Sequence, residues 1–201
     1  MRNIAIVVFL GLTATFAGCS SIDMGQYSTN GPRFDVFEYF QGYTRGWGIV
    51  QDRKGRLLRQ FVVDIEGHTN ANGALVMEEN FRWNDGELSE RTWIISTTTA
   101  NDSVSEKNII SYRGRAADVI DTAQGTAAGN VLNWSYVLDL EVDGKTWEIS
   151  FDDWMFLQPD DILINKAVMT KFGFQVGEIT IVFAKTSEGP AIDTFAGKEI
   201  L

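Results

Sequence analysis

Histidine and cysteine are almost absent, with His68 and Cys19 the single examples in 201 residues. Zinc and related sites are assembled largely from those two side chains, so a His/Cys centre is excluded and no metal is expected. A Ser-His-Asp triad would rest wholly on His68, and no Gly-x-Ser-x-Gly turn offers it a nucleophile. His68 therefore reads as an exposed turn residue and no catalytic set is assigned. No Gly-x-Gly-x-x-Gly or other phosphate-cradling loop occurs, so no cofactor is expected. Cations are outnumbered, 17 Lys+Arg against 27 Asp+Glu for a formal charge of -10. That balance disfavours attraction to anionic lipid and to phosphates, and no nucleic acid partner is expected. Proline is limited to Pro32, Pro159 and Pro190, all outside the stretches read below as strands, as intact ladders require.

What is present suits a folded protein: 44% hydrophobic and 22% charged residues, in a length that needs one core. Residues 1–18 read as a signal peptide, with Arg2 as the positive n-region. The apolar stretch from Ile4 to Phe16 is 13 residues long, too short to span a bilayer. It runs into Phe16-Ala17-Gly18-Cys19, which resembles the lipobox of bacterial lipoproteins. A lone cysteine has no disulfide partner, and Cys19 is the expected lipidation site and new N-terminus. The resemblance implies a membrane anchor through acyl chains. Ser20, where inner-membrane retention would favour Asp, implies an outer membrane lipoprotein facing the periplasm of a Gram-negative cell. Residues 19–33 read as the lipidated N-terminus and a polar tether, 34–187 as the domain, and 188–201 as a C-terminal tail.

From Thr44 onward apolar residues recur at every second position in short runs bounded by Gly, Asn and Asp, and no window sustains helical spacing. The class is all-β. Asn72-Gly73, Asp85-Gly86 and Asp143-Gly144 are hairpin dipeptides that tolerate positive φ. Strands are expected at Gly46 to Gln51, Leu57 to Gly67, Ile109 to Ala116, Ile162 to Phe172 and Glu178 to Lys185, besides two hairpins. That is about nine, enough to close an antiparallel up-and-down barrel, lipocalin-like in form. Alternation alone is equally compatible with a two-layer β-sandwich. A helical turn over Asp35 to Phe40 is expected to plug one end.

Two hairpins can be registered by hand. A two-residue turn at Asp143-Gly144 sets Leu140 opposite Trp147, Leu138 opposite Ile149, Tyr136 opposite Phe151 and Trp134 opposite Asp153. Asp153 is thereby carried onto the apolar face, and Asp152 onto the other. The second hairpin needs three loop residues, Asn84-Asp85-Gly86, with Gly86 left-handed. Only then do Leu75 and Met77 share a face with Ile95 and Trp93. The same register puts Glu79 directly opposite Arg91, inside.

The Gly46-Trp47-Gly48 segment resembles the opening strand of lipocalins. A fuller resemblance rests on Asp52-Arg53 with Gly55, Glu79 with Phe81, Asp85-Gly86-Glu87, Arg91 with Trp93, and Gly114 with Asp118-Val119. It continues through Asp152-Asp153 before Met155, Leu163-Ile164-Asn165, Met169 with Lys171, Gly173 and Gly177-Glu178. In that order these are similar to a proteobacterial lipoprotein family known as domain of unknown function 3833. The resemblance implies a lipid-anchored envelope protein and supplies no catalytic residues.

The candidate ligand-binding set is Glu79, Arg91, Trp93, Trp134, Tyr136, Trp147 and Asp153, an aromatic inward face with polar groups at its centre. Glu79 and Arg91 either orient a polar head group or satisfy each other across the sheet. Asp152 and Asp153 point to opposite faces and cannot form a carboxylate dyad. The leading expectation is a non-enzymatic module that binds a small hydrophobic or amphipathic ligand inside the barrel. Alternatives are an enzyme acting on a lipid-like substrate with Asp153 or Glu79 as general base, and a structural lipoprotein docking a protein partner in the envelope.

Overall fold

The computed structural model describes residues 22–98, 109–142, 144–187 and 189. The leader, Cys19 and nearly all of the expected C-terminal tail lie outside the described residues. Ten strands follow one another: β1 (Gly42–Asp52), β2 (Leu57–Thr69), β3 (Leu75–Trp83), β4 (Leu88–Thr98), β5 (Ile109–Arg115), β6 (Val119–Ala128), β7 (Val131–Val142), β8 (Lys145–Leu157), β9 (Leu163–Lys171) and β10 (Phe174–Thr186). Each pairs antiparallel with its sequence neighbours, and β10 returns to pair with β1, so the sheet closes on itself. The closing ladder, with Trp47 opposite Val182, decides for an up-and-down barrel over a two-layer sandwich.

Both hairpins have the register expected from the sequence. Trp134 faces Asp153 and Tyr136 faces Phe151 across β7 and β8. Glu79 faces Arg91 and Met77 faces Trp93 across β3 and β4, and Gly86 takes φ +89° in the three-residue loop. The strand missing from the expected nine is β6. Its inward positions Ala123, Gly125 and Ala127 are small, and Gly125 adjoins the Trp134 indole, where a Cβ would overlap the ring. A strand built to receive a large neighbour carries little apolar signal of its own.

One end is sealed by α1 (Val36–Phe40), the short helix expected from the sequence. Asp35 caps it, its carboxylate accepting from the N–H of Phe37 and Glu38 at 2.8 and 3.3 Å. Lys185 Nζ donates to the carbonyls of Tyr39 and Gln41 at 2.7 and 2.6 Å, satisfying acceptors that a helix this short leaves over. Val36, Tyr39 and Phe40 are buried. Tyr112 reaches across from β5, its hydroxyl accepting from the Val36 N–H at 3.5 Å. The polar segment before α1 lies at the same end. Met24–Tyr27 forms a 3-10 turn, Tyr27 meets Trp154 edge-on, and the Phe34 N–H donates to the Gly129 carbonyl at 2.7 Å.

The other end carries the β1–β2, β3–β4, β5–β6, β7–β8 and β9–β10 turns and has no plug among the described residues. Lumen-facing side chains near α1 are buried, among them Leu75, Trp93, Tyr112, Leu132, Trp134, Leu163 and Phe183. Towards the turns, the lumen-facing Phe81, Trp83, Tyr136, Leu140, Trp147, Met169 and Ile179 are partly buried, among Phe61, Leu138, Ile149 and Phe151, which are buried. The interior is thus a packed floor beneath a mouth half whose walls are buried only in part.

Candidate functional site

Period-2 alternation along five strands aims the site residues inward. Glu79 comes from β3, Arg91 and Trp93 from β4, Tyr136 and Trp134 from β7, Asp153 from β8, and Asn165 from β9. The aromatic part is one contiguous stack. Trp93 meets Trp134 and Tyr136 edge-on, with centroids 5.7 and 5.4 Å apart, and Tyr136 stacks parallel on Phe151 at 5.0 Å.

The polar part departs from a simple acid–guanidinium pair. Arg91 Nη1 comes no closer than 3.9 Å to Glu79 Oε2. Instead Arg91 donates through Nε and Nη2 to the carboxylate of Asp118, at 3.0 and 2.7 Å to Oδ2. Asp118 sits in the β5–β6 turn at the mouth. A guanidinium is a two-pronged donor, and the carboxylate that offers both oxygens captures it. Glu79 is left with Oε2 buried and without a hydrogen-bond partner. Burial pushes the Glu79 carboxyl up to about 7, opposed chiefly by the Arg91 charge.

Across the lumen, Asp153 is 5% exposed and Asn165 3%. Asp153 Oδ2 accepts from the Tyr136 hydroxyl at 3.3 Å and from Asn165 Nδ2 at 3.4 Å, both long. Asp153 Oδ1 and Asn165 Oδ1 have no partner. Burial raises the Asp153 carboxyl to about 7 against those two hydrogen bonds, and burial with the Asp153 charge holds the Tyr136 phenol well above its ordinary range. Three buried acceptors, Glu79 Oε2, Asp153 Oδ1 and Asn165 Oδ1, thus face the same lumen unsatisfied. Such groups are costly unless something donates to them.

The remaining candidates are placed as follows. Trp134 fills the floor against Gly114 and Gly125, whereas Trp147 is half-buried at the mouth beneath the Lys171 ammonium. Trp83 also stands at the mouth, with the Arg59 guanidinium 3.9 Å from its ring centroid. Trp47 points outward and is exposed, because Gly46 and Gly48 take the inward positions and receive Phe183, Val63 and Phe61. The lipocalin-like opening strand therefore lacks an inward tryptophan. Asp152 lies outside, accepting from Asn133 Nδ2 at 2.6 Å, so the two adjacent aspartates do part. His68 is exposed, and no group of three His, Cys, Asp or Glu among the described residues could hold a metal ion. A polar recess of about 370 Å³ beside α1, lined by Arg33, Asp35, Glu38, Asp161 and Lys185 among others, shares no residue with the lumen set.

Two participants in the site, and one buried charge outside it, are not assigned a role by the sequence. Asn165 was visible as the one polar member of the alternate set Leu163, Asn165, Ala167, Met169. Asp118 carried no such signal, since its role depends on the β5–β6 turn reaching over Arg91. Nor did Asp64, which lies buried on the outer wall between Arg45 and Arg82, with both ion pairs at 2.6 Å.

The chain belongs to the family described as "Protein of unknown function (DUF3833)", whose model matches residues 13–185. A solved structure similar to it is a protein of unknown function from the DUF3598 family of Nostoc punctiforme PCC 73102. The two share 14% identity and a TM-score of 0.50, over 78% of this chain and 51% of the other. The chain thus spans about half the length of that neighbour, and the likeness is one of fold. No curated protein matches it.

Proposed function

We propose that this protein is a lipid-anchored envelope module that takes a small amphipathic, lipid-like ligand into the mouth half of its barrel. The observation that carries the reading is the combination of partly buried apolar walls with three unpartnered acceptors at the closed end of that space. Aliphatic and aromatic side chains suit the apolar body of such a ligand, and a few convergent polar groups suit its head. The three lumen atoms are acceptors, so the part of the head that meets them would carry hydrogen-bond donors, while Arg59 Nε, a buried donor without a partner beside Trp83 at the mouth, suits an acceptor. Cys19 supplies the anchor in this reading, and Ser20 directs it to the outer membrane, facing the periplasm.

Native purification followed by organic extraction and mass spectrometry tests it. A lipid-like molecule should accompany the protein and be depleted in Glu79→Gln with Asp153→Asn. Recovery of no small molecule from well-folded protein would count against the reading. A second reading, an enzyme using Glu79 or Asp153 as general base, is favoured by one observation only, two interior carboxyls near neutrality as that chemistry prefers. It requires that the ligand be chemically altered in the wild type and intact in Glu79→Gln or Asp153→Asn.

A further inference from the structure

The mouth rim exposes large apolar side chains in one arc. The β9–β10 turn contributes Phe172, Phe174 and Val176, the start of β2 contributes Leu57 and Leu58, and the start of β4 contributes Leu88. Strands β9, β10, β1, β2, β3 and β4 are successive neighbours around the barrel, so the turns bearing these residues adjoin. Phe172, Phe174 and Leu88 are 86%, 76% and 74% exposed. Single exposed leucines are ordinary, but six exposed apolar side chains on three neighbouring turns mark a contact surface.

The backbone adds an independent sign. Lys171 pairs with Phe174, leaving a two-residue loop in which Phe172 has φ +50° and Gly173 φ +80°. Such loops favour Asn, Asp or Gly at the first position, and a bulky side chain there is strained. The strain gains Phe172 no burial. Its ring stands in solvent, with the Lys171 ammonium 5.3 Å from its centroid.

Charge selects the occupant. Within residues 52–59, 85–88 and 171–176 the cations are Arg53, Lys54, Arg56, Arg59 and Lys171, and the carboxylates are Asp52, Asp85 and Glu87. Arg56 engages Asp52, and Arg59 engages Asp85 and Glu87. Arg53, Lys54 and Lys171 make no ion pair among the described residues. A protein of formal charge -10 therefore carries a locally cationic, aromatic rim. We infer that this rim docks on a lipid surface bearing anionic head groups, with Phe172, Phe174 and Leu88 entering the head-group layer. The inference stands whatever the lumen holds and whether or not Cys19 is acylated. The N-terminal segment joins the barrel at the opposite end, so the rim is presented away from that junction.

The test uses the full chain carrying Cys19→Ser, with one thiol introduced by Val176→Cys at the rim or by Ser150→Cys on the outer wall, each labelled with a polarity-sensitive fluorophore. Vesicles are phosphatidylcholine alone or mixed with phosphatidylglycerol. The expected result is blue-shifted, brighter emission at position 176 only, and only with the anionic vesicles. Removing the Arg53 or Lys54 charge with glutamine should weaken partitioning about 5-fold each. Phe172→Asn should weaken it too while raising Tm by roughly 2–4 °C, since it relieves the positive-φ strain. Equal responses at the two positions, equal responses to both vesicle types, or no response would overturn the inference. So would a shift that grows with protein concentration without vesicles, which would make the rim a contact between copies of this chain.

Discussion

Arg91 and Glu79 stand directly opposite each other on neighbouring strands, yet the guanidinium gives its hydrogen bonds to Asp118. The carboxylate that pairing would satisfy is therefore left short of a donor in the barrel's interior.

Burial makes Glu79 and Asp153 hold protons more tightly folded than unfolded. Their values rise from 4.5 and 3.8 to about 7. The native state then binds extra protons across that interval, so stability falls as pH rises from about 4 to 7 and levels off above it. Glu79→Gln removes its share of the penalty. Relative to the wild type it should be no more stable near pH 4 and up to about 3 kcal/mol more stable at pH 8, measured by urea unfolding across a pH series.

Removing the competitor should restore the missing pair. In Asp118→Ala, Arg91 is free to turn to Glu79, and a nearby negative charge that raises the Glu79 value is gone. Both changes favour the ionised carboxylate. Carboxyl-carbon NMR should report Glu79 titrating below the wild-type value; an unchanged midpoint would mean that Arg91 stays where it is.

The floor should be intolerant of added volume. Gly125→Ala would force a methyl group into the Trp134 indole, with an expected cost of about 1–3 kcal/mol. Trp134→Leu on top of it should recover part of that loss, giving a coupling energy in a double-mutant cycle that distant pairs lack.

On the outer wall, Asp64 neutralises two arginines at once. Asp64→Asn leaves both guanidiniums without their counter-charge and should cost about 3 kcal/mol, seen as a lower midpoint in chemical denaturation with an unchanged slope.

For the proposed anchor, Cys19→Ala should accumulate as an uncleaved, unacylated precursor, read by intact-mass spectrometry. Normally processed and acylated protein from that variant would remove Cys19 from the proposal.

Local patterns were legible where turn chemistry and alternation agreed. The β3–β4 and β7–β8 registers could be set residue by residue because a one-residue slip would have thrown Trp93 or Phe151 into water. The same logic failed where the neighbour, not the strand, carried the signal. In β6 the inward Ala123, Gly125 and Ala127 look like loop residues until Trp134 is placed against Gly125. At Phe172, an apolar side chain extended the expected strand by one position, because a phenylalanine is an improbable residue for a positive-φ turn.

Turn chemistry and period-2 alternation, both encoded over a few residues, determined that this chain forms antiparallel hairpins, which face of each is apolar, and that Glu79 lies across from Arg91. Tertiary structure alone decided that β10 returns to β1 and that the β5–β6 turn brings Asp118 over Arg91. It also decided that acceptors from β3, β8 and β9 share one lumen and that the apolar turns share one rim. Those relations join residues far apart in the chain, and only the rolled sheet gathers them into one lumen and one rim.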